Sequence, residues 1–441
     1  MSSANSPGPS DSTAYAWYVV GILTLANVSN WIDRQILSLL VVPIRRDLGL
    51  SLTEMSYLTG LPFAVFFTVM GLPIARLSDS RNRRNIIAGG IALWSVMTAL
   101  CGLAGSFWRL LLARIGVGVG EASLAPAAAS MLADYFPRER LSGVMSVYSL
   151  GIFLGAGLSY FIGGAVVGLV SAQETWTLPL IGTIRPWQTV FLMVGLPGLL
   201  IAVLMFTVRE PARQTPTRQA MPMSEVFGYL RQNARAFGCL CFGFAFSAAV
   251  NIGIAFWLVT FLIQKYGWTP ARAGMVQGLL TMTVGVVGVL VGGRIADAFA
   301  RRGHTDSAIR VGIIGSLGML VFATGYTFAP TGAAVIVWLV FVNLFAALPY
   351  GAASAAATEI VPPAMRAQSV AIYFFVLSLI SNGLGPWSVA AVTDYVFEYD
   401  EALPYALAIV NVVGMTIALT LFVIGLPAYR ATIARRIASS R

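Results

Sequence analysis

Charge is what this 441-residue sequence has least of. Asp, Glu, Lys and Arg together make up 10% of it, against roughly a quarter in a soluble domain, so a water-soluble globule is excluded. Lysine occurs once, at Lys265, and histidine once, at His304, in a basic loop where it reads as a solvated residue. Without more histidines no Ser/His or Cys/His constellation is available for nucleophilic catalysis. Only three cysteines occur, Cys101, Cys239 and Cys241; their spacing fits neither a disulfide framework nor a zinc site, and they read as buried free thiols. GVGVGE (Gly116–Glu121) has glycines but no strand before it, so it is not a nucleotide loop; such glycines permit close helix crossing. No metal and no cofactor is expected.

What the chain does have is apolar length. It is 57% hydrophobic with a mean hydropathy of +0.79, and its apolar runs repeatedly reach the ~20 residues needed to cross a bilayer core. Runs bounded by charge, Gly and Pro fall at 15–42, 54–77, 85–105, 107–133, 142–170, 189–208, 237–264, 271–299, 309–329, 332–357, 367–393 and 403–427. The predicted fold is therefore an all-α membrane protein of twelve spans with both termini on one side. Of the 28 basic residues, 20 fall in the segments on the terminal side, six on the other and two, Arg34 and Arg114, inside spans. The excess predicts cytoplasmic termini. It also accounts for the net charge of +10 without nucleic acid. The near-absence of lysine is the bias of a GC-rich bacterial genome, so the expected location is a bacterial inner membrane.

The first fourteen residues are small and polar with no basic n-region, so 1–14 is expected as a disordered cytoplasmic tail rather than a signal peptide. A helical bundle of six spans is expected over 15–208, a cytoplasmic linker over 209–236, a second bundle over 237–428 and a cytoplasmic tail over 429–441. The linker opens REPARQTPTRQAMP and continues with Val226, Phe227 and Leu230 at helical spacing, opposite Arg231 and Arg235. This spacing predicts a short amphipathic surface helix; a plain disordered linker is the alternative.

The two halves repeat. ARLSDSRNRR (Ala75–Arg84) follows span two and GRIADAFARR (Gly293–Arg302) follows span eight, each placing an Asp before arginines. DYFPRER after span four matches EIVPPAMR after span ten: aligning Pro137 with Pro363 also aligns Arg140 with Arg366 and Val144 with Val370. An internal duplication of this kind is common in transport folds.

Only four ionisable residues lie deep in the spans: Asp33 and Arg34 in span one, Arg114 and Glu121 in span four. Each costs roughly 2.5–3.5 kcal/mol near mid-bilayer, which marks function or a buried pair. Arg114 and Glu121 share a helical face about 10 Å apart, too far for a direct pair, so each should look to another helix.

Twelve spans, the repeat and the loop around Asp79 resemble the major facilitator superfamily, whose loop signature is G-x-x-x-D-R-x-G-R-R/K. Asp79, Arg83 and Arg84 match it, while Ala75, Ser80 and Asn82 depart from it. GIFLGAGLSYFIGG (Gly151–Gly164) resembles the span-five motif of efflux members, with Ala156 where Pro is usual. NWIDRQ (Asn30–Gln35), DSRNRR, GVGEAS and ADYFPRER together look like the spinster-like group, known for moving lysophospholipids and sphingolipids such as sphingosine-1-phosphate.

The resemblance implies two pseudo-symmetric bundles working by alternating access, with spans one, four, seven and ten lining a central cavity. Asp33 and Glu121 are then expected as the protonatable pair. Arg34 and Arg114 would alternate between those acids and a substrate phosphate or carboxylate, a task suited to the planar guanidinium. The alternative is a permanent salt-bridge network fixing spans one and four. Spans seven and ten carry only Asn251, Asn343 and Tyr350 as mid-depth polar groups, so the cavity should be charged on one wall and apolar on the other. That suits an amphiphile with an anionic head better than a sugar. Asn30 and the tail-side Phe244, Phe246, Trp257 and Phe345 complete the expected lining. Gating is expected from Asp79, Arg83 and Arg84, where Asp79 meets the start of span eleven near Arg366, and from Asp297 where it meets the start of span five near Arg140, because a helix N-terminus favours negative charge.

The reading is thus a proton-coupled secondary transporter, expected as a monomer whose partners are membrane lipids, protons and an anionic amphiphile. An organic-anion or multidrug carrier of the same fold is the alternative. A lipid enzyme lacks a catalytic constellation, and a non-transporting sensor would have little use for embedded charges in a 6+6 repeat.

Overall fold

In hydrocarbon every backbone N–H and C=O must find its partner within the chain, which leaves helices as the solution for runs this apolar. The computed structural model describes residues 13–170, 173, 175–178, 182–213, 222–362 and 365–439. The N-terminal half comprises span one, α1 (Thr13–Leu48); span two, α2 (Leu52–Tyr57) with α3 (Leu61–Ser80); span three, α4 (Arg83–Cys101); span four, α5 (Phe107–Glu121) with α6 (Leu124–Tyr135); span five, α7 (Arg138–Val170); and span six, α8 (Pro186–Met205). A two-stranded hairpin, β1 (Trp176–Leu178) and β2 (Gly182–Ile184), pairs Trp176 with Ile184 between spans five and six. After α9 (Met223–Gln232) come span seven, α10 (Ala234–Tyr266); span eight, α11 (Pro270–Leu280), a π-helical stretch Thr281–Gly285 and α12 (Val286–Arg301); span nine, α13 (Ser307–Gly325); span ten, α14 (Gly332–Ala347) with α15 (Tyr350–Glu359); span eleven, α16 (Arg366–Val392); and span twelve, α17 (Leu403–Ser439).

Eleven of the twelve, among the described residues, are long and apolar enough to cross a membrane. The other is α1, 36 residues long, whose middle is diluted by Asn27, Asn30, Asp33, Arg34 and Gln35. Most of the tail expected over 1–14 lies outside the described residues, and α1 begins at Thr13. Part of the linker, 214–221, also lies outside them. In α9, Val226 and Leu230 are buried while Phe227 is exposed, and Tyr229 Oη donates to the Ile360 carbonyl at 3.1 Å.

The duplication is visible in packing. Span one packs most extensively on span five, as span seven does on span eleven; span three packs on span six, as span nine does on span twelve. The halves meet where span five crosses span eight and span two crosses span eleven. Backbones touch at the first crossing: a Cβ added to Gly278 would fall 2.6 Å from the Gly157 carbonyl oxygen, so small residues permit the approach.

On the face that carries both chain ends, called here the terminal face, each half is tied by its own charge cluster. Arg83, 1% exposed, donates from Nε to Glu210 Oε1 at 2.7 Å and from Nη1 to Asp134 Oδ2 at 2.5 Å, with further bonds to the Ser130 and Pro211 carbonyls. This corrects its expected gating role: Arg83 holds span three to span four and to the chain leaving span six, all within one half. Arg84 is half-buried over the Phe206 ring.

In the other half Asp306 accepts from Arg430 and Arg310. Burial alone would raise its carboxyl, but hydrogen bonds and charge from those two arginines outweigh it and hold the group below its ordinary value. A depressed acid stabilises the fold above its ordinary titration range and loses that contribution as pH falls through the folded value. Asp306→Asn should therefore lower the thermal midpoint at neutral pH. Melting curves for wild type and variant should converge under acid conditions below that range.

Candidate functional site

Span four bends in its middle, and the acid sits at the bend. α5 ends at Glu121, Ser123 Oγ donates back to the Gly120 carbonyl at 2.8 Å, and α6 starts at Leu124. The glycines before the bend let neighbours close on it: a Cβ at Gly118 would meet the Phe63 ring at 3.1 Å, and one at Gly120 would meet the Trp94 nitrogen at 2.7 Å. Glu121 is thereby pressed between spans one, two and three, 2% exposed.

Its partner comes from span one. Arg34 Nε donates to Glu121 Oε2 at 2.6 Å; the acid side chain is fully buried and that of Arg34 is 19% exposed. Stacked Phe63 and Phe67 of span two lie alongside, with the Arg34 guanidinium carbon 4.5 Å from the Phe67 ring centre and 5.3 Å from that of Phe63. Aromatic faces suit a planar cation taken out of water. Phe63 also flanks Arg114, at 5.5 Å.

Asp33 and Arg114 complete the group but do not pair side chain to side chain. Arg114, 1% exposed, donates from Nε to the Leu58 carbonyl and from Nη1 to the main-chain carbonyl of Asp33, both at 3.2 Å. The expectation that Arg114 holds a carboxylate is corrected here: carbonyl oxygens of spans one and two hold it. Asp33 Oδ1, Glu121 Oε1, Asn30 Nδ2 and Thr98 Oγ1 are buried and, among the described residues, make no hydrogen bond of good geometry, although Thr98 lies within reach of the Asp33 carboxyl and Asn30 within reach of that of Glu121. Natively buried polar atoms are mostly satisfied, so two acids met this loosely by Thr98 and Asn30 mark a place equipped for a proton or a polar ligand group.

The second wall differs from expectation in part. Phe244 packs edge-on against Phe422 of span twelve at 4.8 Å, Phe246 joins the same C-terminal core, Phe345 stacks on Phe322 of span nine, and Trp257 donates from Nε1 to the Pro386 carbonyl. These four are corrected from cavity lining to bundle packing. Asn251 and Asn343 are half-buried; Tyr350 is 50% exposed, its ring edge-on to Phe153 of span five at 5.2 Å. Sequence reading missed Phe63, Phe67 and Thr98, although all three lie on spans adjacent to the embedded charges.

The halves are latched on the face opposite the chain ends, the distal face. Arg45 at the end of α1 holds Asp400 of the other half through two bonds of 2.8 and 3.2 Å and also donates to the Leu50 carbonyl. Asp394 Oδ2 accepts from the main-chain nitrogen of Thr53 at the start of α2, at 2.7 Å, and Tyr160 Oη donates to the Ala255 carbonyl. Asp394 and Asp400 thereby tie the second half to the first. On the terminal face Arg140, Asp297 and Arg366 are exposed and make no cross-half bond among the described residues, and the Asp79 side chain lies outside them. The captured state is shut on the distal side. Arg45→Ala should shift the balance toward a distally open state roughly fivefold, the size of one exposed bidentate pair. Spin labels at Leu103 and Tyr405 in a cysteine-free background would report it; an unchanged distance distribution would remove the latch.

Two six-helix bundles with buried charges in one half and a latch across one face define a multi-pass membrane transporter. The description of the Major Facilitator Superfamily matches residues 23–386. The chain belongs to that superfamily and groups with its spinster-like members. It is 29% identical to an MFS-type efflux pump of Mycolicibacterium smegmatis over 86% of this chain and 85% of that one. It is 26% identical to Protein spinster homolog 1 of Xenopus tropicalis over 90% and 78% respectively. Two crystal structures of a bacterial homolog to the human lysosomal transporter Spinster, inward-facing and either unoccupied or occupied, superpose with TM-scores of 0.77 and 0.78 at 28% identity. They cover 96% of this chain and 98% and 97% of theirs.

Proposed function

We propose that the chain carries an anionic amphiphile, a lysophospholipid or sphingoid phosphate, across a bacterial inner membrane by proton-coupled alternating access. The observation that supports this best is the buried Arg34–Glu121 pair beside Asp33, set against a second wall whose polar groups are uncharged. An incoming phosphate competes with Glu121 for Arg34, the partly exposed member of the pair; the released carboxylate, still out of water, takes a proton. Discharge of the substrate lets the pair reform and the proton leave. Asp33 is the second acid of the cycle. Arg114, anchored by carbonyls, supplies a fixed positive field.

With both termini in the cytoplasm, the orientation the basic-residue bias supports, the distal latch closes the outward side and the state is inward-facing. The carrier works as a monomer among membrane lipids. An efflux reading, drugs or organic anions as cargo, is favoured by one observation, the similarity to the mycobacterial pump over most of both chains. A thermal-shift screen of purified protein against lysolipids, sphingoid phosphates, sugar acids and cationic drugs separates the two. Stabilisation by sugar acids or cationic drugs alone would overturn the amphiphile reading.

A further inference from the structure

Three uncharged polar side chains of the C-terminal half take no part in the ion-pair site. Gln277 of span eight donates from Nε2 to Thr281 Oγ1 at 3.2 Å and to Asn343 Oδ1 of span ten at 3.3 Å. Thr281 donates to the same Asn343 oxygen at 3.4 Å, and Asn343 Nδ2 donates to the Leu339 carbonyl at 2.9 Å. Both hydrogens of the Gln277 amide are therefore used. Among the described residues its Oε1 has no donor, although the residue is only 6% exposed. Asn343 keeps a second amide hydrogen, and both Asn343 and Thr281 are half-buried.

Two further facts bear on what this cluster does. The α-helix gives way to a π-helical stretch at Thr281, a local unwinding that recurs at functional positions and re-aims the side chains around it. By helix rise Gln277 lies about 10 Å and Asn343 about 16 Å from the distal ends of their spans, a depth that overlaps Arg114 at about 10 Å and Glu121 at about 21 Å. The neutral cluster and the charged one thus sit at comparable depth in opposite halves.

We propose that Gln277, Thr281 and Asn343 form a neutral subsite that binds a hydroxyl group of the transported amphiphile, the hydroxyl donating to Gln277 Oε1 and accepting from the free Asn343 amide hydrogen. The proposal rests on the amphiphile reading and narrows it: the substrate carries a hydroxyl between its anionic head and its tail. An ester carbonyl or ether oxygen does not fill the site, because it accepts only and leaves Oε1 unpaired.

The test compares two probes on purified protein, a 1-acyl-glycerol phosphate with its free hydroxyl and an alkyl phosphate of matched chain length without one. Wild type should bind the hydroxyl-bearing probe about fivefold more tightly, the scale of one neutral hydrogen bond. Gln277→Met should erase that preference while leaving alkyl phosphate affinity unchanged. Equal affinity of wild type for both probes overturns the subsite and needs no variant. An equal loss for both probes in Gln277→Met also overturns it, because a purely structural role would act on both. If wild type binds neither probe, the amphiphile reading falls and takes the subsite with it.

Discussion

Arg34→Ala is expected to abolish transport and to destabilise the protein by up to roughly 3–5 kcal/mol, the cost of leaving one member of a buried pair without its counter-charge, reduced where Glu121 takes a proton instead. Glu121 has no exposed side-chain surface, so water cannot take over from the lost guanidinium. Combining Arg34→Ala with Glu121→Ala should restore much of the thermal stability, because neutralising both partners removes the unpaired charge. Transport should stay absent. Flux of a labelled amphiphile into proteoliposomes, measured alongside melting curves for both single variants and the double, separates two roles. If the double variant transports, the pair is a packing device; if the single variant is as stable as wild type, the pair is not buried as described.

The second large effect concerns Arg83. Arg83→Met is expected to prevent accumulation of folded protein, since it leaves Asp134 without the Arg83 bond inside the bundle and removes the side-chain tie from span three to Glu210, leaving only the Arg84 main-chain bond. Breaking a buried charge cluster costs roughly 3–5 kcal/mol, comparable with the whole stability of many domains. Arg84→Met, one residue on, should stay within about 0.5 kcal/mol, because its side chain is only half-buried over Phe206 and, among the described residues, bonds only to its neighbour Asn85. Size-exclusion profiles and expression yields compare the two directly. A monodisperse, normally expressed Arg83→Met protein would return Arg83 to a signature residue whose role lies elsewhere.

The fold was legible because apolar runs of bilayer length leave little freedom, and the repeat was written in the loops around Asp79 and Asp297. The four embedded charges were legible for the same reason: lipid makes each one costly enough to mark a purpose. Which arginine meets which acid was not. Arg114 and Glu121 share a helical face in the sequence, but the azimuth of span four relative to span one depends on Gly118 and Gly120 letting spans two and three close in. Arg83 was read with its loop because Asp134 and Glu210 lie 51 and 127 positions away, beyond any local pattern. Phe244, Phe246, Trp257 and Phe345 were misplaced for a different reason. A helix apolar on every side carries no periodicity to say which face turns toward the other half and which toward its own bundle.

The clasp between Arg45 and Asp400 has one more implication. Asp400 is 47% exposed on its side chain, and dissolved ions weaken contacts between charges open to water, with a screening length near 8 Å at physiological salt. The resting balance of the carrier is thereby tied to the saltiness of the compartment it faces. In brine the molecule should swing open on that side more readily than in fresh water, a dependence set by a single guanidinium at the tip of the first helix.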